Sequence, residues 1–165
     1  MPCYEIVRIS ESKFIDVSKI HKSCFDNSWS LNYLSLLMKN KINDGFIAKL
    51  KASTNIKKHN KSKYNELDKC IGFILFSMVH EHSELISLGV LPNWRCNGIG
   101  SDLIQHVISF IQRAGANRLV LEVAENNLSA RKLYLDLDFK EISRRIGYYK
   151  QSKGNVDALI LEKNI

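Results

Sequence analysis

Val90-Leu91-Pro92-Asn93-Trp94-Arg95-Cys96-Asn97-Gly98-Ile99-Gly100-Ser101 stands between two runs of different apolar period. Before it, Glu84 to Leu91 reads as an apolar strand. After it, Ile99, Leu103, Val107, Ile108 and Ile111 recur at helical spacing, and Gly115 ends the pattern. A strand therefore ends, a short loop turns, and a helix opens at a glycine pair. The first turn of that helix leaves backbone N–H groups without internal acceptors. Glycine lets a ligand approach that backbone closely, and the helix dipole adds positive charge at the same end. Together these features suit a pyrophosphate. Asn97-Gly98 is also a hairpin signal, but the helical period that follows argues against it. Gly98 and Gly100 are equally compatible with close packing alone. No Gly-Lys-Ser/Thr follows, so the loop is not a Walker A loop, and the third glycine of a dinucleotide fingerprint is missing.

Outward from that loop, strands and helices interleave. Tyr4 to Ile9 reads as a strand, with Ser10 or Ser12 capping a helix that carries Phe14, Val17, Ile20 and Cys24. A second helix follows Ser30, with Leu31, Leu34, Leu37 and Met38 on its apolar side. Gly45 to Leu50 is a strand. Cys70 to Val79 and Glu84 to Leu91 form a hairpin through His80-Glu81-His82-Ser83. Arg118 to Ala124 is a strand and Leu128 to Leu137 a helix. Phe139 to Ile146 and Asp157 to Leu161 are the last strands, with Tyr148 and Tyr149 between them. The interleaving predicts an α/β domain, a mixed sheet with helices against it.

The composition narrows the classes. A chain of 165 residues with 45% hydrophobic and 25% charged residues fits one domain with a real core, and is neither disordered nor membrane-like. The longest apolar run, Ile71 to Val79, is too short to span a bilayer. Met1-Pro2-Cys3-Tyr4-Glu5 lacks the basic and apolar regions of a signal peptide, so a cytosolic location is expected. Cys3, Cys24, Cys70 and Cys96 are scattered without a C-x-x-C pair and read as free thiols. His80-Glu81-His82 has no third ligand nearby and reads as a hairpin tip, so no metal is expected. The net charge of +7 attracts anions. Part of it lies in Lys51, Lys57, Lys58, Lys61 and Lys63, inside a stretch from 51 to 69 that reads as a solvated basic loop. Tyr64 is its only aromatic residue, so nucleic acid is not a required partner.

Two further residue patterns can carry chemistry. Along Leu119–Ala124, Glu122 shares a face with Val120 and Ala124. It is either a strand-end carboxylate that reaches solvent or pairs with a lysine, or a general base for an amine nucleophile. Asn127, Ala130 and Tyr134 share one helical face. By spacing alone, Asn127 is equally an N-cap, and Tyr134 equally a core aromatic.

Arg95-x-x-Gly98-x-Gly100, with Val90 and Pro92 before it, resembles the acetyl-CoA-binding motif of the GNAT N-acetyltransferases. Glu122-Val123-x-x-x-Asn127-x-x-Ala130-x-x-Leu133-Tyr134-x-x-Leu137-x-Phe139 resembles the signature of the RimI group within that family. Cys24-Phe25, Trp29-Ser30, Tyr148-Tyr149 and Asp157-Ala158 are similar to the same group. Four features depart from it: Ser28 stands where a proline is usual, Cys96 where a basic residue is common, Asp138 where a glycine is usual, and 51–69 resembles an insertion.

The resemblance implies a single GNAT-fold domain over residues 1–165, with a mostly antiparallel sheet flanked by helices. It implies acetyl transfer from acetyl-CoA, by direct attack in a ternary complex, to a protein N-terminus. The leading acceptor is the N-terminal alanine of a small-subunit ribosomal protein. By the same resemblance, Leu88, Gly89 and Val90 hold the pantetheine and polarise the thioester. Arg95, Cys96, Asn97, Gly98, Ile99, Gly100 and Ser101 hold the pyrophosphate, and Asn127 contacts the cofactor. Glu122 is the base and Tyr134 the acid that protonates the leaving thiolate. Trp29, Tyr148 and Tyr149 enclose the acceptor. A monomer in the cytoplasm, away from membranes, is expected. Two other readings stay open: an enzyme for a small amine or lysine side chain, and a non-catalytic module that binds acetyl-CoA or the ribosome.

Overall fold

The computed structural model describes residues 3–51, 69–151 and 154–165. The described residues form seven strands: β1 (Tyr4–Arg8), β2 (Asn43–Leu50), β3 (Cys70–Val79), β4 (His82–Val90), β5 (Arg118–Ala124), β6 (Lys140–Gln151) and β7 (Gly154–Asn164). Four helices accompany them: α1 (Phe14–Cys24), α2 (Leu31–Lys39), α3 (Ile99–Arg113) and α4 (Leu128–Asp136). The strand order is β1-β2-β3-β4-β5-β7-β6. β4 and β5 are parallel, whereas β1–β2, β5–β7 and β7–β6 are antiparallel. This is the mixed, mostly antiparallel α/β architecture that the sequence predicts.

The chain divides into two compact units, Met1–Leu75 with Ser87–Val107, and Phe76–Ile86 with Ile108–Ile165. In the first, β1 pairs with β2 from Tyr4↔Leu50 to Arg8↔Phe46. Its core holds Val17, Ile20, Leu34, Ile47, Ile71, Phe73, Ile99 and Leu103, all buried. Ser30 caps α2 as expected, its hydroxyl accepting from the Tyr33 N–H at 3.1 Å. Ser10 and Ser12 do not cap α1. Their hydroxyls bond each other at 2.9 Å, and a 3-10 turn over Glu11–Lys13 precedes the helix.

In the second unit, Leu119, Leu121 and Val123 are buried while Val120, Glu122 and Ala124 are half-buried, the alternation expected of β5. β7 lies between β5 and β6, with Glu122 opposite Ile160 and Ala124 opposite Ala158. Both closing strands are longer than predicted, so Tyr148 and Tyr149 belong to β6 rather than to a connecting loop. The physical reason is that β6 pairs by backbone alone while most of its side chains face water, which leaves no apolar alternation to read. Its register shifts between Arg145 and Tyr149, around Gly147 at φ 62°. The basic stretch read over 51–69 falls mostly on residues outside those described. At its edges, the Lys51 N–H donates to the Cys3 carbonyl at 3.0 Å, and the Leu50 N–H donates to the Lys69 carbonyl at 3.1 Å.

Candidate active site

The first unit contains the glycine loop. A 3-10 turn over Pro92–Trp94 leads into it. Cys96 and Gly98 both have positive φ, 60° and 80°. The reversal at Gly98 is why a glycine stands there, and a β-carbon at that position would meet no atom within 4 Å. Asn97 braces the loop from inside, its amide donating to the carbonyls of Trp94 at 3.3 Å and Arg95 at 3.0 Å. The first helical bond of α3 runs from the Asp102 N–H to the Gly98 carbonyl at 3.0 Å. The N–H groups of Ile99, Gly100 and Ser101 therefore precede any helical acceptor. That donor set, with Arg95 exposed beside it, fits a pyrophosphate.

Leu88, Gly89 and Val90 close β4 just ahead of the loop. Gly89 lies against Phe73, whose ring would be 2.6 Å from a β-carbon at that position. The Val90 carbonyl is already engaged, accepting from the Cys24 thiol at 3.3 Å and from Arg95 Nε at 3.1 Å. Cofactor contacts at Val90 are therefore left to other groups.

Trp29 packs on α1. Its ring stacks on His21 with centroids 4.5 Å apart, and its backbone N–H donates to His21 Nδ1 at 3.2 Å. Burial pushes the His21 imidazole below its usual pKa. The sequence gives this residue no special place. Its ring is covered by Phe25 at 4.4 Å, Trp29 at 4.5 Å and Phe73 at 5.9 Å, and Phe73 comes from a different element, which helical periodicity does not register.

The second unit contains the candidate acid–base pair. Glu122 is ion-paired, its Oε1 lying 2.8 Å from Arg145 Nη1. The carboxylate is thus paired, but with an arginine on β6 rather than with the lysine that the sequence suggested. Tyr134 is buried in α4, edge-on to Phe139 at 5.7 Å. Burial first, and Tyr149 second, push its phenol up to about 12. Its hydroxyl forms no hydrogen bond among the described residues. The Tyr149 phenol is also raised, by burial first and then by the Glu122 carboxylate and Tyr148, with Arg145 opposing. Tyr149 thus interacts electrostatically with both Glu122 and Tyr134. Tyr148 lies edge-on to Tyr149 at 5.1 Å and is half exposed. Asn127 caps α4, its Oδ1 accepting from the Ala130 N–H at 3.2 Å. Arg145, unmarked by the sequence, is the residue that touches the candidate base. Only the Arg144-Arg145 pair just ahead of Tyr148-Tyr149 hints at it.

Residues 16–139 match the family model described as Acetyltransferase (GNAT) family, and the chain belongs to that family. It is 32% identical over 93 residues to the [Ribosomal protein bS18]-alanine N-acetyltransferase of Escherichia coli K12. That match covers 56% of this chain and 63% of the relative, so the chain spans less than two thirds of its length. The crystal structure of the ribosomal-protein-S18-alanine N-acetyltransferase from Escherichia coli superposes with a TM-score of 0.82 at 22% identity, covering 98% of this chain and 94% of that one. Arabidopsis thaliana NAA60 in complex with acetyl-CoA superposes with a TM-score of 0.79 at 18% identity, covering 98% of each chain. These likenesses share the fold. Among the described residues, no three or more His, Cys, Asp or Glu are grouped to hold a metal ion, and no helix is long and apolar enough to cross a membrane.

Proposed function

We propose that this protein transfers an acetyl group from acetyl-CoA to the N-terminal α-amine of a protein, and that the leading acceptor is the N-terminal alanine of a small-subunit ribosomal protein. The observation that carries the reading is Tyr134, a buried phenol with an unengaged hydroxyl in the same unit as the Glu122 carboxylate. The likeness to a relative named for the alanine of bS18 supports the choice of acceptor.

Acetyl-CoA supplies the thioester and a leaving thiolate. The amides of Ile99, Gly100 and Ser101 bind its pyrophosphate, and Leu88–Val90 align the pantetheine. Glu122 takes the amine proton as nitrogen attacks the thioester carbon, with an ordered water as relay. An α-amine has a pKa of about 7.7–8.0, so roughly one molecule in ten is already neutral at pH 7 and a modest base suffices. Tyr134 gives its proton to the thiolate. Its phenol at about 12 remains protonated across the working range. Tyr148 and Tyr149 are assigned to the acceptor, as is Trp29, and Asn127 to the donor. The reading needs one chain, no nucleic acid and no membrane, and places the enzyme in the cytoplasm with its acceptor.

The test is acetyl-CoA-dependent mass gain on a peptide panel: an alanine-starting ribosomal-protein sequence, other N-termini, an internal lysine and spermidine. Gain confined to the alanine N-terminus is the expected result. Gain only on spermidine or lysine sinks the proposed acceptor. Acetyl-CoA binding without gain on any amine points to a binding module.

A further inference from the structure

Because β7 separates β5 from β6, a β6 side chain must cross β7 to reach β5. Arg145 makes that crossing. Its partner on β7 is Ala158, whose partner on β5 is Ala124. The distance is about two strand spacings of roughly 4.8 Å, and the two small side chains keep the way clear. Arg145 Nη1 then reaches Glu122 Oε1 at 2.8 Å, with the pair 51% and 23% exposed. The Tyr148 ring holds the guanidinium as well, its centroid 5.2 Å from Cζ. Arg144 serves other partners, namely Glu125, Glu141 and Asp157.

The other charged groups on the Glu122 face are committed elsewhere or stand further along the strands. Arg118 pairs with Glu162 at 3.4 Å and donates to His82 at 2.9 Å. Glu84 on β4 is level with Val120, and Lys140 on β6 is level with Glu162. From α4, Arg131 donates to the Glu125 carbonyl and Lys132 pairs with Asp136. Arg145 is therefore the cation that Glu122 meets first.

We propose that Arg145 determines acceptor specificity: by occupying the Glu122 carboxylate it excludes protonated amines and admits acceptors as the neutral base. This rests on the reading of Glu122 as the base. An ammonium group arriving alone would pair with Glu122. With the guanidinium in place that attraction is offset, and losing the Coulomb attraction of two unit charges about 4 Å apart, even in bulk water, weakens binding about fivefold. Selection for neutral amines favours α-amines over lysine side chains, because their neutral fractions at pH 7 differ roughly 300-fold.

The experiment measures the affinity of an alanine-starting peptide, with CoA present as the unreactive product, between about pH 6.5 and about pH 9. The same peptide with an acetylated N-terminus corrects for titrations elsewhere. In the wild type, affinity should rise over that range, by about fourfold for a fivefold penalty on the ammonium and by up to about twentyfold if it is fully excluded, following deprotonation of the amine. In Arg145→Gln it should fall as pH rises, because the ammonium now pairs with Glu122. Arg145→Lys should keep the rise. A peptide whose N-terminus is trimethylated, and so always charged, should bind Arg145→Gln at least about fivefold more tightly than the wild type. A rise in Arg145→Gln equal to the wild-type rise, or a fall in the wild type, overturns the proposal. Turnover of Glu122→Gln separates the two readings. Wild-type turnover there removes Glu122 as the base, whereas lost turnover with an unchanged Arg145→Gln profile removes the role of Arg145 alone.

Discussion

Replacing Tyr134 by phenylalanine deletes one oxygen and leaves the ring, so its effects on folding and on turnover can be pulled apart. The ring is buried and packs edge-on against Phe139, a contact that phenylalanine retains. The hydroxyl forms no hydrogen bond among the described residues, so no protein acceptor is orphaned by its loss. Among the described residues, the buried side-chain polar atom without a partner is Ser83 Oγ, not the Tyr134 hydroxyl, so removing that hydroxyl relieves no desolvation cost. Stability should therefore stay within about 1 kcal/mol of wild type, which is a change of about 2–4 °C in Tm for a chain of this size. Turnover should fall by about 10²- to 10⁴-fold, the usual contribution of a general acid. Affinity for acetyl-CoA should change little, because the role of the hydroxyl begins when the thiolate leaves. The measurements are a calorimetric Tm, direct titration with acetyl-CoA, and initial rates with a thiol reagent that detects released CoA. Unchanged turnover would refute the assignment. A Tm lowered by more than about 5 °C would refute the packing argument, since it would mean that the hydroxyl has a structural partner.

Gly89→Ala should destabilise by about 1–3 kcal/mol, read as a lower urea midpoint, because the new β-carbon lands 2.6 Å from the buried Phe73 ring. Asp138→Gly should stabilise by about 1 kcal/mol, since Asp138 sits at φ 63° and its pair with Lys163 at 3.6 Å is solvent-exposed. A lower Tm in that variant would contradict the strain argument. His21 is held below its usual pKa by burial, so between its folded and unfolded values the unfolded chain binds more protons. Its contribution is full above about pH 6.5 and is lost as pH falls, at up to about 1.4 kcal/mol per pH unit. In urea titrations, the stability advantage of wild type over His21→Gln should accordingly narrow on acidification, and an advantage that widens would reverse the sign.

The parts of the molecule that could be read in advance are those where burial and backbone period act together. β5 and α3 present one apolar face each, so Leu121 and Leu103 announce their elements and place Glu122 on the opposite face of its strand. The ends of β6, and of β7 where it pairs with β6, could not be read, because backbone pairing holds the exposed edge strand β6 without demanding any side-chain pattern. Asp138 is instructive in another way. The family's glycine at that position has a backbone cause, the positive φ after α4, and aspartate occupies it at a cost. Arg145 was out of reach for a topological reason. It lies 23 residues after Glu122, and only the order β5-β7-β6 brings the two charges together across a third strand. The residues proposed to carry the chemistry of attack are therefore visible as a local motif. Arg145, proposed to decide what may approach them, is placed by tertiary pairing alone, so on that proposal a change of charge there alters the acceptor while the motif stays intact.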